Sequence, residues 1–133
     1  MAARFFVDEN DLALGKSLAQ LHEGVVYPGH PGLPDVPRGS LDDDWLPVVG
    51  ARRLVVISRD QRIRYRPVEK LLWVEHRVRG FVLTGRKSQS TANSFWILER
   101  HWRRIEAVVE TEGQGPWMYA VTEERLREIQ LAD

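Results

Sequence analysis

The sequence predicts an α/β protein in which helices cover both faces of a mostly parallel sheet. Short apolar strands alternate along the chain with helical segments, and the clearest strand, at residues 53–58, has a continuous apolar centre. Such alternation favours parallel strands joined by helices, and a continuous apolar run is typical of a strand that is covered on both faces. We therefore expect a three-layer α/β/α sandwich with a five-stranded sheet.

The first half of the chain carries clear local signals for its elements. An apolar run at 5–7 predicts the first strand, and Asn10 or Asp11 can cap the helix that follows. A second strand is predicted at 25–27. Residues 28–40 are rich in proline and glycine, which exclude regular structure, so we expect a surface loop there.

The second half continues the alternation. A helix opens on three consecutive aspartates, which suit the positive end of a helix dipole. The remaining predicted elements are a strand at 53–58, a helix at 67–78, a strand at 81–83, an amphipathic helix with apolar residues stepping from Phe95 to Val109, a strand at 117–121 and a short helix from Thr122.

Length and composition indicate one globular domain, spanning residues 1–133. The chain has no cysteine, which excludes disulfide scaffolds, iron–sulfur centres and thiol nucleophiles. No apolar stretch approaches the roughly 20 residues of a membrane span, and the N-terminal residues do not fit a signal peptide. We expect a cytoplasmic protein with no membrane partner.

Charge is segregated along the chain although the net charge is zero. Residues 1–51 carry three basic and eight acidic side chains, residues 52–104 carry fourteen and four, and residues 105–133 carry two and seven. Segregation of this kind suggests an acid-lined site beside a surface that binds a polyanion. Solvated helix faces whose charges pair across elements are the alternative explanation.

Acidic residues cluster where the strands are predicted to end. Asp8 and Glu9 follow the first strand, Asp60 follows the third, and the run 42–44 begins the helix before it. Sites in open parallel sheets lie beyond the carboxyl ends of the strands, so these acids should meet if the first and third strands are neighbours. A cluster of carboxylates suits Mg²⁺ or Mn²⁺, which would relieve their mutual repulsion. Acids that only cap helices or end strands are the alternative.

Basic residues follow the third strand directly. The segment contains Tyr65 and four arginines, namely Arg59, Arg62, Arg64 and Arg66. Arginine forks match phosphate oxygens, and an exposed aromatic ring can stack on an unpaired base. The segment therefore predicts affinity for RNA, unless it is a solvated edge with Tyr65 turned inward.

Several segments occur in a characteristic order. They are Phe-Phe-Val-Asp at 5–8, Leu-Asp-Asp-Asp-Trp-Leu-Pro at 41–47, Val-Val-Ile-Ser-Arg-Asp at 55–60 and Phe-Val-Leu-Thr-Gly at 81–85. In this order they resemble the PIN-like domains found as toxins of VapBC-type toxin–antitoxin pairs. The resemblance implies an endoribonuclease that uses Mg²⁺ or Mn²⁺ to activate water against RNA, with a cognate antitoxin as its protein partner.

The resemblance also implies roles for individual residues. The catalytic residues it implies are Asp8, Asp42, Asp44 and Asp60. The metal ligands it implies are Asp8, Glu9, Asp44 and Asp60. Thr84 would orient a water or a phosphate through its hydroxyl. Neighbours on a helix diverge by about 100°, so Asp42, Asp43 and Asp44 cannot all face the site, and which of them do so stays open.

Two other functions stay open. A PIN-like domain without activity would be a nucleic-acid-binding module. A phosphoacceptor receiver domain also has acids after its first and third strands and a threonine after its fourth, as Asp8, Asp60 and Thr84 stand here. A receiver needs a lysine after its fifth strand, where this chain has Thr122 and Glu123.

Trp96 and Ile97 lie outside the apolar stripe of the long helix. Exposed apolar positions of this kind favour either a homodimer interface or an extra core contact. The antitoxin would cover the acid cleft with arginine or lysine side chains in place of the metal.

Overall fold

The computed structural model describes residues 2–8, 11–59, 66–85 and 90–131, which form six strands and four helices. The strands are β1 (Phe5–Val7), β2 (Val25–Val26), β3 (Val55–Ser58), β4 (Arg79–Leu83), β5 (Trp117–Val121) and β6 (Leu126–Ile129). The helices are α1 (Leu12–Leu21), α2 (Asp42–Ala51), α3 (Pro67–Glu75) and α4 (Thr91–Glu112).

The strands form a single sheet in the order β2-β1-β3-β4-β5-β6. β1 to β5 run parallel, and β6 pairs with β5 in the antiparallel direction. β1 lies between β2 and β3, so the first and third strands are neighbours as predicted, with Phe6 opposite Val56. The chain thus reverses its direction of travel across the sheet at β1 and β3, and this is the position where open α/β sheets bind ligands.

Helices cover both faces of the sheet, which confirms the predicted three-layer architecture. Successive side chains of a strand point to opposite faces. Phe5 therefore packs with residues of α1 and α4, whereas Phe6 packs with residues of α2 and α3. The ring centroids of Phe6 and Trp45 are 5.0 Å apart. Among the described residues, no helix is both long and apolar enough to cross a membrane.

The last element is a strand, so the predicted terminal helix from Thr122 and the predicted count of five strands are wrong. Thr122 N donates to Arg125 O at 2.9 Å and closes a turn that leads into β6. Leu126 and Ile129 pack against the cores on opposite faces of the sheet. Two side chains three residues apart lie on opposite faces of a strand but on one face of a helix. Only a strand therefore lets Leu126 and Ile129 reach the two cores.

The proline-rich segment over 28–40 is irregular, as predicted, but it is more than a surface loop. Leu33 and Val36 are both only 1% exposed and join the core beside α2. Gly29 N donates to Val36 O at 2.9 Å, which holds the loop in a compact form. The loop therefore fixes the start of α2 against the sheet.

The parallel strands end at one edge of the sheet, which we call the carboxyl edge. Each helix connects the end of one parallel strand to the start of the next one, so all four helices begin at the carboxyl edge. Residues that follow the strands and residues that begin the helices are thereby collected in one place.

Candidate functional site at the carboxyl edge

Asp8 lies at the carboxyl edge, directly after β1. Its side chain is buried, with only 4% of the residue exposed. Ser58, the last residue of β3, donates its hydroxyl to Asp8 Oδ2 at 2.6 Å, and Asp8 N donates to Ile57 O at 3.3 Å. A buried carboxylate is costly unless it is hydrogen-bonded. The pairing of β1 with β3 thus builds an oriented acid into the edge.

Asp11 is a second buried carboxylate, 7% exposed, and it joins three elements. It caps α1 by accepting from Leu14 N at 3.0 Å, and Thr91 at the start of α4 donates its hydroxyl to Asp11 Oδ2 at 2.9 Å. Arg59, directly after β3, places its Nη1 2.9 Å from the same oxygen. Asp11 therefore holds Arg59 and the start of α4 at the carboxyl edge.

The acids that begin α2 accept local hydrogen bonds. Asp42 Oδ1 accepts from Trp45 Nε1 at 3.1 Å, and Asp44 Oδ2 accepts from Leu41 N at 3.0 Å. Asp44 thus caps the helix, and Asp42 holds the indole of Trp45, which is 2% exposed. Asp43 is exposed. These contacts explain the acids as parts of the helix start, and their predicted catalytic roles stay predictions.

Thr84 follows β4, as predicted, and is 6% exposed. Its N–H donates to Val121 O at 2.9 Å, which fixes it against β5. Ser58 is paired in register with Val82, so Thr84 lies two positions beyond Ser58 on the neighbouring strand. The structure thus places Thr84 at the same edge as Asp8.

The predicted basic segment is described at its two ends. Arg59 pairs with Asp11. Arg66 precedes α3 at its N-cap position, and its Nη1 lies 3.4 Å from Glu69 Oε1 in the first turn of that helix. Six residues named from the sequence lie outside the described residues, namely Glu9, Asn10, Asp60, Arg62, Arg64 and Tyr65.

The fit to a divalent cation depends on which oxygen donors meet at this edge. Within residues 2–8, 11–59, 66–85 and 90–131, no group of three or more His, Asp or Glu side chains could hold a metal ion. Asp8 supplies one carboxylate, the type of ligand that Mg²⁺ and Mn²⁺ prefer. Glu9 and Asp60, which adjoin Asp8 and Arg59 in sequence, are the acids that would complete such a set.

Sequence reasoning did not identify Ser58 or Thr91 as parts of this edge. Ser58 ends an otherwise apolar strand, and a polar residue in a buried run is a signal that could have indicated a partner. Thr91 lies 80 positions from its partner Asp11, and nothing local in the sequence indicates their contact.

A family model described as a PIN like domain matches residues 3–85, which is more than half of the chain. The matched range runs from β1 to the residue after Thr84 and includes every candidate site residue named from the sequence. It ends before α4, β5 and β6. No curated protein and no solved structure matches the chain.

Proposed function

This chain belongs to the PIN-like domain family, and from this premise we propose that it is a metal-dependent endoribonuclease. Family membership indicates a nuclease-type function. The observation that carries the finer proposal is Asp8, a buried carboxylate that Ser58 orients at the point where the strand order reverses. Ligands of open α/β sheets bind at this point, and a fixed carboxylate there is suited to a hydrated cation.

The proposed metal ligands are Asp8, Glu9, Asp44 and Asp60. A bound Mg²⁺ or Mn²⁺ would polarise the phosphodiester and lower the pKa of the attacking water. The chain's own part is to hold these carboxylates in place. The Ser58 hydroxyl fixes the orientation of Asp8, and Asp42 and Asp44 belong to the first turn of α2, where the helix dipole favours negative charge.

Arg59 is the first residue that we propose to contact a substrate phosphate. A guanidinium carries five N–H donors, and a single carboxylate cannot accept from all of them. The contact with Asp11 orients the group, and we propose that its other donors bind phosphate oxygens. Arg62, Arg64 and Arg66 are proposed as further phosphate contacts, and Thr84 as a group that orients water or phosphate.

We also propose that the protein is the toxin of a toxin–antitoxin pair. Support comes from the order of its segments, which resembles VapBC-type toxins, and from the acids at the carboxyl edge. An antitoxin arginine or lysine could pair with these acids and displace the metal. Purification of the co-expressed pair, followed by a cleavage assay before and after removal of the partner, tests this role.

Cleavage of a mixed structured RNA tests the nuclease proposal directly. Purified protein is incubated with Mg²⁺, Mn²⁺ or EDTA, beside Asp8→Asn and Asp60→Asn. Glu124→Gln, which changes an exposed acid in the turn after β5, is the matched control. We expect metal-dependent cleavage in the wild type and in Glu124→Gln, and at least a 100-fold loss in both aspartate variants, because they lack a ligand carboxylate.

Other outcomes identify the alternatives. RNA binding without cleavage under any metal condition would indicate a non-catalytic nucleic-acid-binding module. Phosphorylation of Asp60 by a small phosphodonor would indicate a receiver domain. Full activity of Asp8→Asn would refute the site assignment even if the protein is a nuclease.

A further inference from the structure

Trp96 is a large aromatic residue that the fold does not bury. It is 68% exposed on α4, whereas Trp45, Trp73 and Trp117 are each at most 4% exposed. Its ring and the ring of the neighbouring Phe95 pack nearly perpendicular to each other, with centroids 5.4 Å apart and planes at 78°. Ile97, for which the sequence allowed an exposed position, is 5% exposed and belongs to the core. Among the tryptophans, all of which the structure describes, Trp96 is thus the only one that is largely exposed.

Three arginines follow Trp96 on the same side of α4. Arg100, Arg103 and Arg104 stand four, seven and eight positions after it, a spacing that places side chains along one helix face. All three are exposed, and within the described part of the chain no ion pair engages them. We call these four residues the α4 ridge.

The nearby acids of α4 are engaged elsewhere. Glu99 pairs with His22, and Glu106 pairs with Arg4. Neither carboxylate therefore neutralises the arginines of the α4 ridge by a direct ion pair. The ridge is a cationic surface that carries an exposed aromatic ring, the combination found on surfaces that bind single-stranded nucleic acids.

A recess of about 160 Å³ lies beside the Trp96 ring, and its walls are Asn93, Trp96, Ile97, Arg100 and Glu123. This volume is smaller than the roughly 300 Å³ at which pockets for whole small ligands begin, so the recess suits a single group such as a nucleobase. The amide of Asn93 both donates and accepts, as the edge of an unpaired base requires.

The wall that contains Glu123 is fixed to α4. His101 is 3% exposed, and its Nε2 lies 2.9 Å from Thr122 O and 3.1 Å from Glu123 O. Because both partners are carbonyl oxygens, Nε2 carries the proton and donates. The recess is thus held between α4 and the turn after β5.

The α4 ridge starts close to the candidate site. Thr91, whose hydroxyl donates to Asp11, precedes Trp96 by five residues, or about 7.5 Å of helix. From Trp96 to Arg104 the ridge extends about 12 Å farther along the helix axis. The ridge therefore begins within about one and a half helical turns of the carboxyl edge, and RNA would pass about 140° around α4 between Thr91 and Trp96.

We infer that the recess and the α4 ridge bind single-stranded RNA, with an unpaired base stacked on Trp96 and the backbone phosphates against Arg100, Arg103 and Arg104. The inference rests on the proposed nuclease function and adds a substrate-binding surface outside the matched family range. A second copy of this chain is a poorer occupant, because pairing two ridges would bring six arginines together.

Fluorescence anisotropy with a labelled 12-nucleotide single-stranded RNA of mixed sequence tests this inference. Binding is measured in EDTA, so that the result does not depend on cleavage. We expect Trp96→Ala to weaken binding by about 10-fold or more and Trp96→Phe to keep most of the affinity, because stacking needs an aromatic face. Each of Arg100→Gln and Arg104→Gln should reduce the slope of log K against log salt by about 0.7.

Matched control variants lie on other surfaces. Leu71→Ala removes an apolar side chain that is 67% exposed on α3, and Arg127→Gln removes an exposed arginine of β6. Both should bind the RNA as the wild type does. Melting curves of all variants check that the fold is retained, as expected for exposed positions.

The outcomes separate the inference from the nuclease proposal. Wild-type affinity in Trp96→Ala, or equal affinity for the single strand and its duplex, would overturn the inference even if RNA is cleaved. Binding that depends on Trp96, in a protein that cleaves no RNA with any metal, would support the inference and overturn the nuclease. A wild-type dimer in light scattering that becomes a monomer in Trp96→Ala would assign the surface to self-association instead, and would also overturn the inference.

Discussion

The hydroxyl of Ser58 donates to Asp8 Oδ2 at 2.6 Å and joins two strand ends that are 50 positions apart in sequence. Both residues are almost fully buried, at 1% and 4% exposed. The contact therefore stabilises the fold and at the same time orients the acid on which the proposed chemistry depends.

Ser58→Ala removes this donor from a buried carboxylate. We expect the free energy of unfolding to fall by about 1–3 kcal/mol, the usual cost of leaving a buried polar group without its hydrogen bond. Urea denaturation measures the change. The double variant with Asp8→Asn is the control, because the coupling between the two positions should appear as non-additivity. Strict additivity would show that the contact has no energetic role.

Asp11→Ala removes the cap of α1 and the partner of both Arg59 and Thr91. We expect a loss of about 2–4 kcal/mol, because the helix cap alone contributes about 1 kcal/mol and the buried Nη1 of Arg59 loses its counter-charge. Thermal and urea unfolding measure it. Asp35→Ala, which breaks an exposed pair with Arg52, should cost no more than about 1 kcal/mol. Equal losses in the two variants would contradict this account.

Gly80→Ala tests how closely β3 and β4 approach. An added Cβ would lie 2.5 Å from Val56 O and 3.0 Å from the Trp73 ring, so we expect a loss of about 3 kcal/mol or more. Gly39→Ala separates this effect from backbone strain. Gly39 has φ +88° and no atom within 4 Å of the added Cβ, so only a strain of about 1 kcal/mol is expected. A smaller loss in Gly80→Ala than in Gly39→Ala would refute the steric explanation.

Tyr119 donates its hydroxyl to Glu112 Oε2 at 2.6 Å. The hydrogen bond to Glu112, followed by burial and by the charges of Glu112 and Glu128, raises the pKa of Tyr119 from 10.0 to about 12. The pKa is raised in the folded state, so the stabilisation is complete below pH 10.0 and is lost as the pH rises through about 12.

Ultraviolet titration of tyrosinate, as the difference between the wild type and Tyr119→Phe, measures this pKa directly. Glu112→Gln should move the pKa of Tyr119 back towards 10.0, because it removes the negative charge that accepts the hydrogen bond of the Tyr119 hydroxyl and disfavours the tyrosinate. An unchanged titration in Glu112→Gln would show that Glu112 is not the cause.

Metal binding can be tested without an activity assay. If Asp8 is a ligand, Mg²⁺ or Mn²⁺ should raise the melting temperature of the wild type and leave that of Asp8→Asn unchanged. At 100 times the dissociation constant, a ligand that binds only the folded state adds about 2.7 kcal/mol of stability. Equal stabilisation of both proteins would remove Asp8 from the set of ligands.

Local signals were sufficient to predict the five parallel strands and the four helices. The apolar run before Asp8 and the spacing from Phe95 to Val109 depend only on neighbouring residues. β6 could not be predicted in this way. Thr122 followed by two glutamates is typical of a helix start, whereas the strand forms because β5 offers an unpaired edge that is distant in sequence.

For the candidate site, the sequence predicted where residues lie along the strands and helices but not which side chains they contact. The position of Asp8 follows from the end of β1, and its neighbours follow from the strand order. That Asp42 holds Trp45 and Asp44 caps α2 was not decided by the sequence, because the same acids suit a helix start and a metal. The contact of Asp11 with Thr91 depends on the packing of α1 against α4, which no sequence pattern shows.

The bond between Asp11 and Thr91 also bears on how the protein emerges from the ribosome. Thr91 is translated 80 residues after its partner Asp11, and the carbonyl of Val121 that holds Thr84 follows later still. A nascent chain that ends after β4 would contain the whole range matched by the family and yet lack both contacts. The contacts that fix Asp11 and Thr84 at the carboxyl edge can therefore form only after α4 and β5 have been translated.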